Sequence, residues 1–266
     1  MEQVLWVIGW CVLLGAFVGF MAGLLGIGGG LMIVPALLYL LPKVGFDADF
    51  LPHVAIATSL SAIILTSLSS ARAHHGRGNI DWSLLKLLAP AVLVGALASG
   101  FIAERIAAAH LKQVFAIFVI LMAIHMAYPV KTESNRALPS TLPLFVMVAL
   151  IALVAGLMGI GGGVLLVPLL TFFGIAMRTA VGVSAGTGLL IALSGSLSYV
   201  LAGWNASGMP EFTLGYVYLP ALFGIVCTSM LTAPLGARAA SSWPTALLKK
   251  IFALLLTVIG IKLVLG

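Results

Sequence analysis

The sequence predicts an all-α integral membrane protein built from two inverted repeats of about five hydrophobic segments each. Apolar residues make up 62% of the 266 residues and charged residues only 8%, whereas a soluble domain averages roughly 25% charged residues. Stretches such as Gln3–Pro42 and Ala137–Met177 contain no Asp, Glu, Lys or Arg, and about 20 apolar residues suffice for one helical crossing. A β-barrel would need alternating apolar and polar residues, which Leu254–Leu265 lacks, so we expect a helical bundle.

A glycine-rich motif occurs once in each half of the chain. Residues 22–37 read AGLLGIGGGLMIVPAL, and residues 155–170 read AGLMGIGGGVLLVPLL. Glycine-interrupted apolar segments at matching places in two halves are typical of the substrate site of a membrane transporter. We therefore divide the chain into a first membrane repeat (1–130), a cytoplasmic linker (131–140) and a second membrane repeat (141–266).

Each half contains five apolar segments, of which the second is short. The predicted segments are 3–25, 28–42, 53–71, 84–103 and 112–129, then 141–158, 161–174, 180–202, 213–236 and 247–265. At 1.5 Å per residue a helix over 28–42 spans about 22 Å, less than the ~30 Å of the hydrocarbon core. We expect 8–10 transmembrane helices, with one short or broken helix per repeat. The first segment starts without a basic region, so we interpret it as a helix and not as a cleaved signal.

The charged loops predict the orientation in the cytoplasmic membrane. Loops 72–83, 130–140 and 237–250 carry Lys or Arg, whereas loop 203–212 carries neither. The positive-inside rule places the first three loops in the cytoplasm and the last outside. Loops 72–83 and 203–212 join equivalent segments of the two halves, so their opposite placement makes the halves inverted. We interpret the net charge of +6 as a topology signal, not as a sign of nucleic-acid binding.

The ionisable residues avoid the middle of the predicted segments. All seven carboxylates lie in loops or at segment ends, and only His125 approaches a mid-membrane position. A ligand inside the membrane would then meet backbone groups, hydroxyls and helix ends. Such groups suit a small anion and suit a cation poorly. We expect no metal site and no cofactor, and the coupling ion is left open between H⁺ and Na⁺.

The glycine runs and the hydroxyls that follow them form the candidate substrate site. Helix N-termini leave N–H groups unpaired and carry about half a positive charge, and glycine lets the backbone approach a ligand. The candidate residues are Gly26, Gly28, Gly29, Gly30, Gly159, Gly161, Gly162, Gly163, Thr58, Ser59, Ser184 and Thr187. In the structural alternative the glycines mediate close helix packing and the hydroxyls bond the preceding helical turn.

One polar cluster lies in the loop between the third and fourth segments. His75, Arg77 and Asp81 form a candidate gate or proton-handling site, because histidine titrates near physiological pH. The plainer interpretation is a solvated loop on the positive side of the membrane.

The doubled motif and two further runs resemble the sulfite exporter TauE/SafE family of membrane permeases. The resemblance rests on GLLGIGGGLMIVPAL (23–37), GLMGIGGGVLLVPLL (156–170), Ala57-Thr58-Ser59-Leu60 and the run 75–82 that ends in Asp-Trp. It covers essentially the whole chain. It implies a permease for small sulfur-containing anions such as sulfite, organosulfonates or sulfoacetate-like compounds. The second half departs from the first, because it has Val-Ser-Ala at 183–185 and no Asp-Trp loop, so the two half-sites need not be equal.

The sequence therefore favours a non-enzymatic secondary transporter that works by alternating access. An anion channel remains an alternative, as does a membrane-integral subunit or enzyme without transport activity. The expected partners are a small anionic substrate and the lipid bilayer, and a homodimer is left open.

Overall fold

The described residues fold into ten α-helices and one short β-hairpin. The computed structural model describes residues 2–25, 29–127, 137–206, 208–239 and 245–265. The helices in these ranges are α1 (Glu2–Leu25), α2 (Gly30–Leu40), α3 (Leu51–Gly76), α4 (Trp82–Glu104), α5 (Ala108–Ala127), α6 (Thr141–Leu157), α7 (Gly163–Phe172), α8 (Met177–Ala202), α9 (Leu219–Ala239) and α10 (Thr245–Leu265). A 3₁₀ turn (Leu41–Val44) extends α2, and the antiparallel strands β1 (Thr213–Leu214) and β2 (Val217–Tyr218) precede α9.

Within the described part of the chain, six helices are long and apolar enough to cross a membrane. These spans are Val4–Ala22, Leu51–Gly76, Trp82–Glu104, Ala108–Ala127, Met177–Ala202 and Leu219–Gly236. Large apolar side chains project from them, with Leu13 62% and Leu231 72% exposed, as expected of a surface that meets lipid. The prediction of an all-α integral membrane protein is confirmed, and the chain is a multi-pass protein of the cytoplasmic membrane.

The short second segment of each half is present, and one predicted segment needs correction. Helix α2 has 11 residues and α7 has 10, so each is shorter than a full crossing. The segment predicted over 213–236 is not helical at its start, because residues 213–218 form the hairpin. Gly215 (φ 55°) makes the turn, and β-branched and aromatic residues around it favour strands. Helix α9 begins only at Leu219.

The helices pair across the two halves. Helix α1 packs along α9 and α4 packs along α6, while α3 packs on α8 and α5 on α10. In the predicted repeat α1 corresponds to α6, and α4 to α9, so the first two pairs are equivalent. Each half thus supplies a partner for the other half's outer helices, and α3 and α8 lie at their common centre.

The contacts also give the relative directions of the helices. Leu60 lies against Gly195 and Ser67 lies beside Gly188, so α3 and α8 run antiparallel. Gly15 packs on Thr228 and Gly19 on Thr232, so α1 and α9 run parallel. Small residues at these contacts let the backbones approach closely, as is common in membranes.

Part of the predicted cytoplasmic face lies outside the described residues. Of the linker 131–140, only residues 137–140 are described, and the described part of the loop predicted over 237–250 excludes residues 240–244. The division into repeats at residues 130 and 141 stays a prediction.

Candidate functional site

Each copy of the glycine motif starts a short helix with the same backbone conformation. Gly29 immediately precedes α2 with φ 76°, and Gly162 immediately precedes α7 with φ 71°. This left-handed conformation favours glycine, since a Cβ would clash there. The two residues hold the same position in the doubled motif. Gly26 and Gly28 of the first run lie outside the described residues.

The start of α2 lies against the glycine run that precedes α7. A methyl group on Gly30 would collide with the carbonyl oxygen of Gly159 and lie 3.0 Å from the Cα of Ile160. A methyl group on Gly159 would lie 2.8 Å from Cγ2 of Val34. Gly30 and Gly159 are therefore closely packed, and this packing brings the start of α2 against residues 159–160, just before α7.

The start of α7 presents unpaired backbone donors. Leu165 and Leu166 donate to the carbonyl of Gly162 at 3.1 and 2.8 Å. Within the described part of the chain, the four N–H groups of residues 161–164 donate to no backbone or side-chain acceptor. Free N–H groups and the positive end of the helix dipole make such a start attractive to an anion.

A buried hydroxyl without a partner lies at the same helix start. Ser184 on α8 is 3% exposed, and its Oγ forms no hydrogen bond. This oxygen lies 3.4 Å from the position that a Cβ on Gly163 would take. Leaving a buried polar group unpaired costs about 1–3 kcal/mol. A serine that served only for packing would therefore be unfavourable at this position. Its hydroxyl adds one more donor beside the free N–H groups of α7.

The other three predicted hydroxyls are already bonded within the protein. Ser59 Oγ donates to the carbonyl of Gly159 at 2.8 Å, which ties α3 to the second glycine run. Thr58 Oγ1 accepts from the backbone N–H of Tyr218 at 3.0 Å. Thr187 Oγ1 donates to the Ser184 carbonyl at 3.1 Å. The structural interpretation fits these three contacts, since each hydroxyl stabilises a helix or a helix junction.

Further serines lie beside the four hydroxyls of the candidate list. Ser61 of α3 hydrogen-bonds Ser196 of α8, and Ser67 Oγ lies 3.6 Å from the position that a Cβ on Gly161 would take. Ser67 follows Ser59 by two helical turns, so the i, i+8 spacing was a signal that both serines share a face. The α3–α8 interface beside the glycine runs is therefore lined with hydroxyls.

The predicted gate residues lie in an ordered loop. Asp81 caps α4, since its carboxylate accepts from the backbone N–H groups of Ser83 and Leu84 at 2.9 and 3.0 Å. The ring of His75 meets Trp82 edge-on at 5.4 Å. Arg77 ends α3, and its side chain, like those of His75 and Asp81, is exposed. The structure thus gives Asp81 a capping role, and the gating role stays a prediction.

The loop also closes over the beginning of α8. The Asn79 side-chain amide lies 3.3 Å from Nδ1 of His74. A methyl group on Gly182 would collide with the Asn79 carbonyl oxygen. The loop therefore packs on the same helix that carries Ser184, one half-turn before it.

At the other end of α3, His53 lies beneath the hairpin. It is 4% exposed, and its Nε2 lies 2.9 Å from the carbonyl oxygen of Ala103. Its ring stacks on that of Tyr216 at 5.3 Å. Burial first, and the charge of Glu104 second, raise the pKa of Tyr216, so this phenol stays neutral. The sequence placed His53 at the start of a segment and gave no sign that the imidazole is buried.

Three comparisons with known proteins bear on this arrangement. A family model described as sulfite exporter TauE/SafE matches residues 11–263. A probable membrane transporter protein of Haemophilus influenzae is 41% identical over 255 residues, which cover 95% of this chain and 96% of the relative. One of Methanocaldococcus jannaschii is 30% identical over 229 residues, or 85% of this chain and 84% of the relative. No solved structure matches the chain.

Proposed function

Because the chain belongs to the sulfite exporter TauE/SafE family of membrane transporters, we propose that it carries a small sulfur-containing anion across the cytoplasmic membrane. The substrate class is sulfite, a sulfonate or a sulfoacetate-like compound. The observation that carries the proposal is the start of α7, where free N–H groups adjoin the buried, unpartnered hydroxyl of Ser184.

The chemistry of this start favours an oxoanion. Sulfite and the sulfonate group each offer three oxygens that accept hydrogen bonds from N–H and O–H donors. A hydrogen bond to a charged partner contributes about 1.5–3 kcal/mol, so two or three such bonds hold a small anion. A cation would lack a counter-charge there, because the described side chains include no buried carboxylate.

We propose alternating access between two inverted halves that meet at the glycine runs. The antiparallel packing of α3 on α8 and the parallel packing of α1 on α9 are the directions that an inverted repeat requires. Rocking of one half against the other would expose the start of α7 to each side in turn. The contact between Gly30 and Gly159 lies where the halves would pivot.

The test is transport by the purified protein in proteoliposomes. We expect saturable uptake of sulfite or methanesulfonate, and we expect unlabelled anion inside the vesicles to accelerate uptake of labelled anion. Such counterflow requires a carrier, whereas flux that neither saturates nor shows counterflow would indicate a channel. Absence of flux with sulfite, thiosulfate, sulfate and small sulfonates would contradict the proposal.

A pair of glycine variants links the transport to the site. We expect Gly162→Val to abolish flux, because φ 71° strains a β-branched residue and the side chain would collide with Ile191. Gly9→Ala is the control, since no atom lies within 4 Å of the position of its Cβ. Normal flux in a folded Gly162→Val protein would show that the start of α7 is not part of the substrate site.

A further inference from the structure

His53 is the one Asp, Glu, Lys, Arg or His residue that is buried among the side chains that the structure describes. An ionisable side chain inside a membrane protein is energetically expensive and commonly serves function. The start of α7 and the predicted substrate site make no use of it. Its position under the β-hairpin therefore needs a separate explanation.

One hydrogen bond fixes which nitrogen of the neutral imidazole carries the proton. The carbonyl of Ala103 can only accept, so Nε2 must carry the hydrogen of the 2.9 Å bond. In the neutral ring Nδ1 is then a bare acceptor, and it is buried without any partner. The side chain is thus held in one tautomer with a vacant proton-accepting nitrogen.

The hairpin places an aromatic ring against this imidazole. Tyr216 lies between His53, at 5.3 Å between ring centroids, and Tyr199, at 6.5 Å. The Tyr199 hydroxyl is also buried without a partner. The two rings that contact this hairpin tyrosine therefore each carry an unsatisfied polar atom.

The same hairpin is bonded to the neighbourhood of the substrate site. The backbone N–H of Tyr218 donates to Thr58 Oγ1, and the next residue, Ser59, bonds the glycine run through Gly159. The Tyr218 ring packs edge-on against Phe46 at 5.0 Å. A displacement of the hairpin would therefore release Thr58, the neighbour of the serine that bonds Gly159.

We propose that Nδ1 of His53 is a proton-binding site, and that proton uptake there opens the hairpin over Thr58. The inference rests on the proposed transport function and names its coupling ion. A hydronium ion on the hairpin side gives its proton to Nδ1 and leaves water, and the ring becomes an imidazolium. A buried cation is unfavourable without partners or water, so the charged ring favours a state in which the hairpin has moved and water enters.

The ionisable groups that face the ring are few. Glu104, at the end of α4, acts on it electrostatically, and Asp49 and Ile106 present backbone groups. Tyr216 faces it from the hairpin, and Tyr199 of α8 lies behind Tyr216. Burial opposes the imidazolium more than Glu104 and these backbone groups favour it, and the neutral phenols add no negative charge, so water is needed to stabilise the charged ring.

A titration of the histidine rings tests the site without any transport. The chain has five histidines, and His53→Gln assigns the ring signal of His53 in an NMR spectrum of the protein in detergent. We expect this signal to titrate, and the amide signals of Tyr216 and Tyr218 to shift with the same midpoint. A His53 signal that stays neutral, or one that titrates while the hairpin signals stay fixed, would overturn the proposal.

A pH gradient across proteoliposomes tests the coupling. Methanesulfonate carries one negative charge, so one-for-one movement with a proton is electroneutral. A gradient of one pH unit, alkaline inside, then drives up to about tenfold accumulation. We expect His53→Gln, whose amide can still donate to the Ala103 carbonyl, to lose this accumulation. The control is Arg178→Gln, because Arg178 holds the equivalent place at the start of α8 and is exposed.

The outcomes separate this inference from the proposed function. Gradient-driven accumulation in folded His53→Gln protein would overturn the coupling role, and so would wild-type transport that ignores the gradient. A wild-type protein that moves none of the anions would contradict the proposed function. The NMR titration would still decide whether His53 binds a proton and moves the hairpin.

Discussion

Ser59 and Ser184 hold equivalent positions on the central helices of the two halves, yet only Ser59 has a hydrogen-bond partner. Ser59 Oγ donates to the carbonyl of Gly159, and Ser184 Oγ is buried without a bond beside the start of α7. The two serines thus hold matching positions in the sequence but have different hydrogen bonding in the structure. One serine joins the halves, and the other leaves its hydroxyl available to a ligand.

The largest effect on stability is expected at the contact between Gly30 and Gly159. Gly30→Ala places a methyl group against the backbone oxygen of Gly159, and backbone cannot yield as a flexible side chain does. We expect a loss of about 1–3 kcal/mol in the free energy of unfolding, measured by denaturant titration in detergent. Gly9→Ala, on the open face of α1, should be neutral or stabilising. Equal stability of the two variants would show that the halves do not touch here.

A smaller effect separates the two serines by stability. Ser59→Ala removes the hydrogen bond and leaves the buried Gly159 carbonyl without its donor, which costs about 1 kcal/mol. Ser184→Ala breaks no hydrogen bond and removes an unsatisfied buried hydroxyl, so the free energy of unfolding should stay equal or rise. Thermal unfolding of both variants measures the difference. A lower midpoint of thermal unfolding for Ser184→Ala than for Ser59→Ala would contradict the assignment of the stabilising hydrogen bond to Ser59.

The loop that covers α8 offers the next test. Asp81→Ala removes the cap of α4 and should lower stability by about 1 kcal/mol, whereas Asp81→Asn keeps a capping oxygen and should cost a few tenths. Measurement of anion flux in the same variants distinguishes a capping role of Asp81 from a gating role. Normal transport by Asp81→Asn fits a cap, and its loss from a folded protein would establish a role for the charge.

The sequence predicted the elements that follow from composition and repetition. Long uncharged stretches predicted the membrane helices, and the doubled glycine motif predicted the two short helices that begin at Gly30 and Gly163. It did not predict the β-hairpin, because the strands are only two residues each. The apolar residues of 213–218 match a helical segment equally well.

The details of the candidate site depend on contacts that the sequence pattern leaves open. The pattern placed Ser59 and Ser184 at equivalent positions and made both candidate substrate ligands, without showing how the two half-sites differ. Their difference arises from which backbone oxygen lies opposite each one, and this depends on how α3 and α8 pack. The burial of His53 likewise depends on the hairpin, which comes more than 150 residues later in the chain.

The account is tested most directly by the affinity of the purified protein for sulfite and methanesulfonate, compared between Ser184→Ala and Ser194→Ala. Ser194 lies on the same helix and bonds only the Leu190 carbonyl of the preceding turn. Loss of a hydrogen bond to an anion costs about 1.5–3 kcal/mol, so we expect Ser184→Ala to raise Kd by about tenfold to a hundredfold. We expect Ser194→Ala to leave Kd unchanged. Equal affinity in the wild type and Ser184→Ala would contradict an anion site at the start of α7.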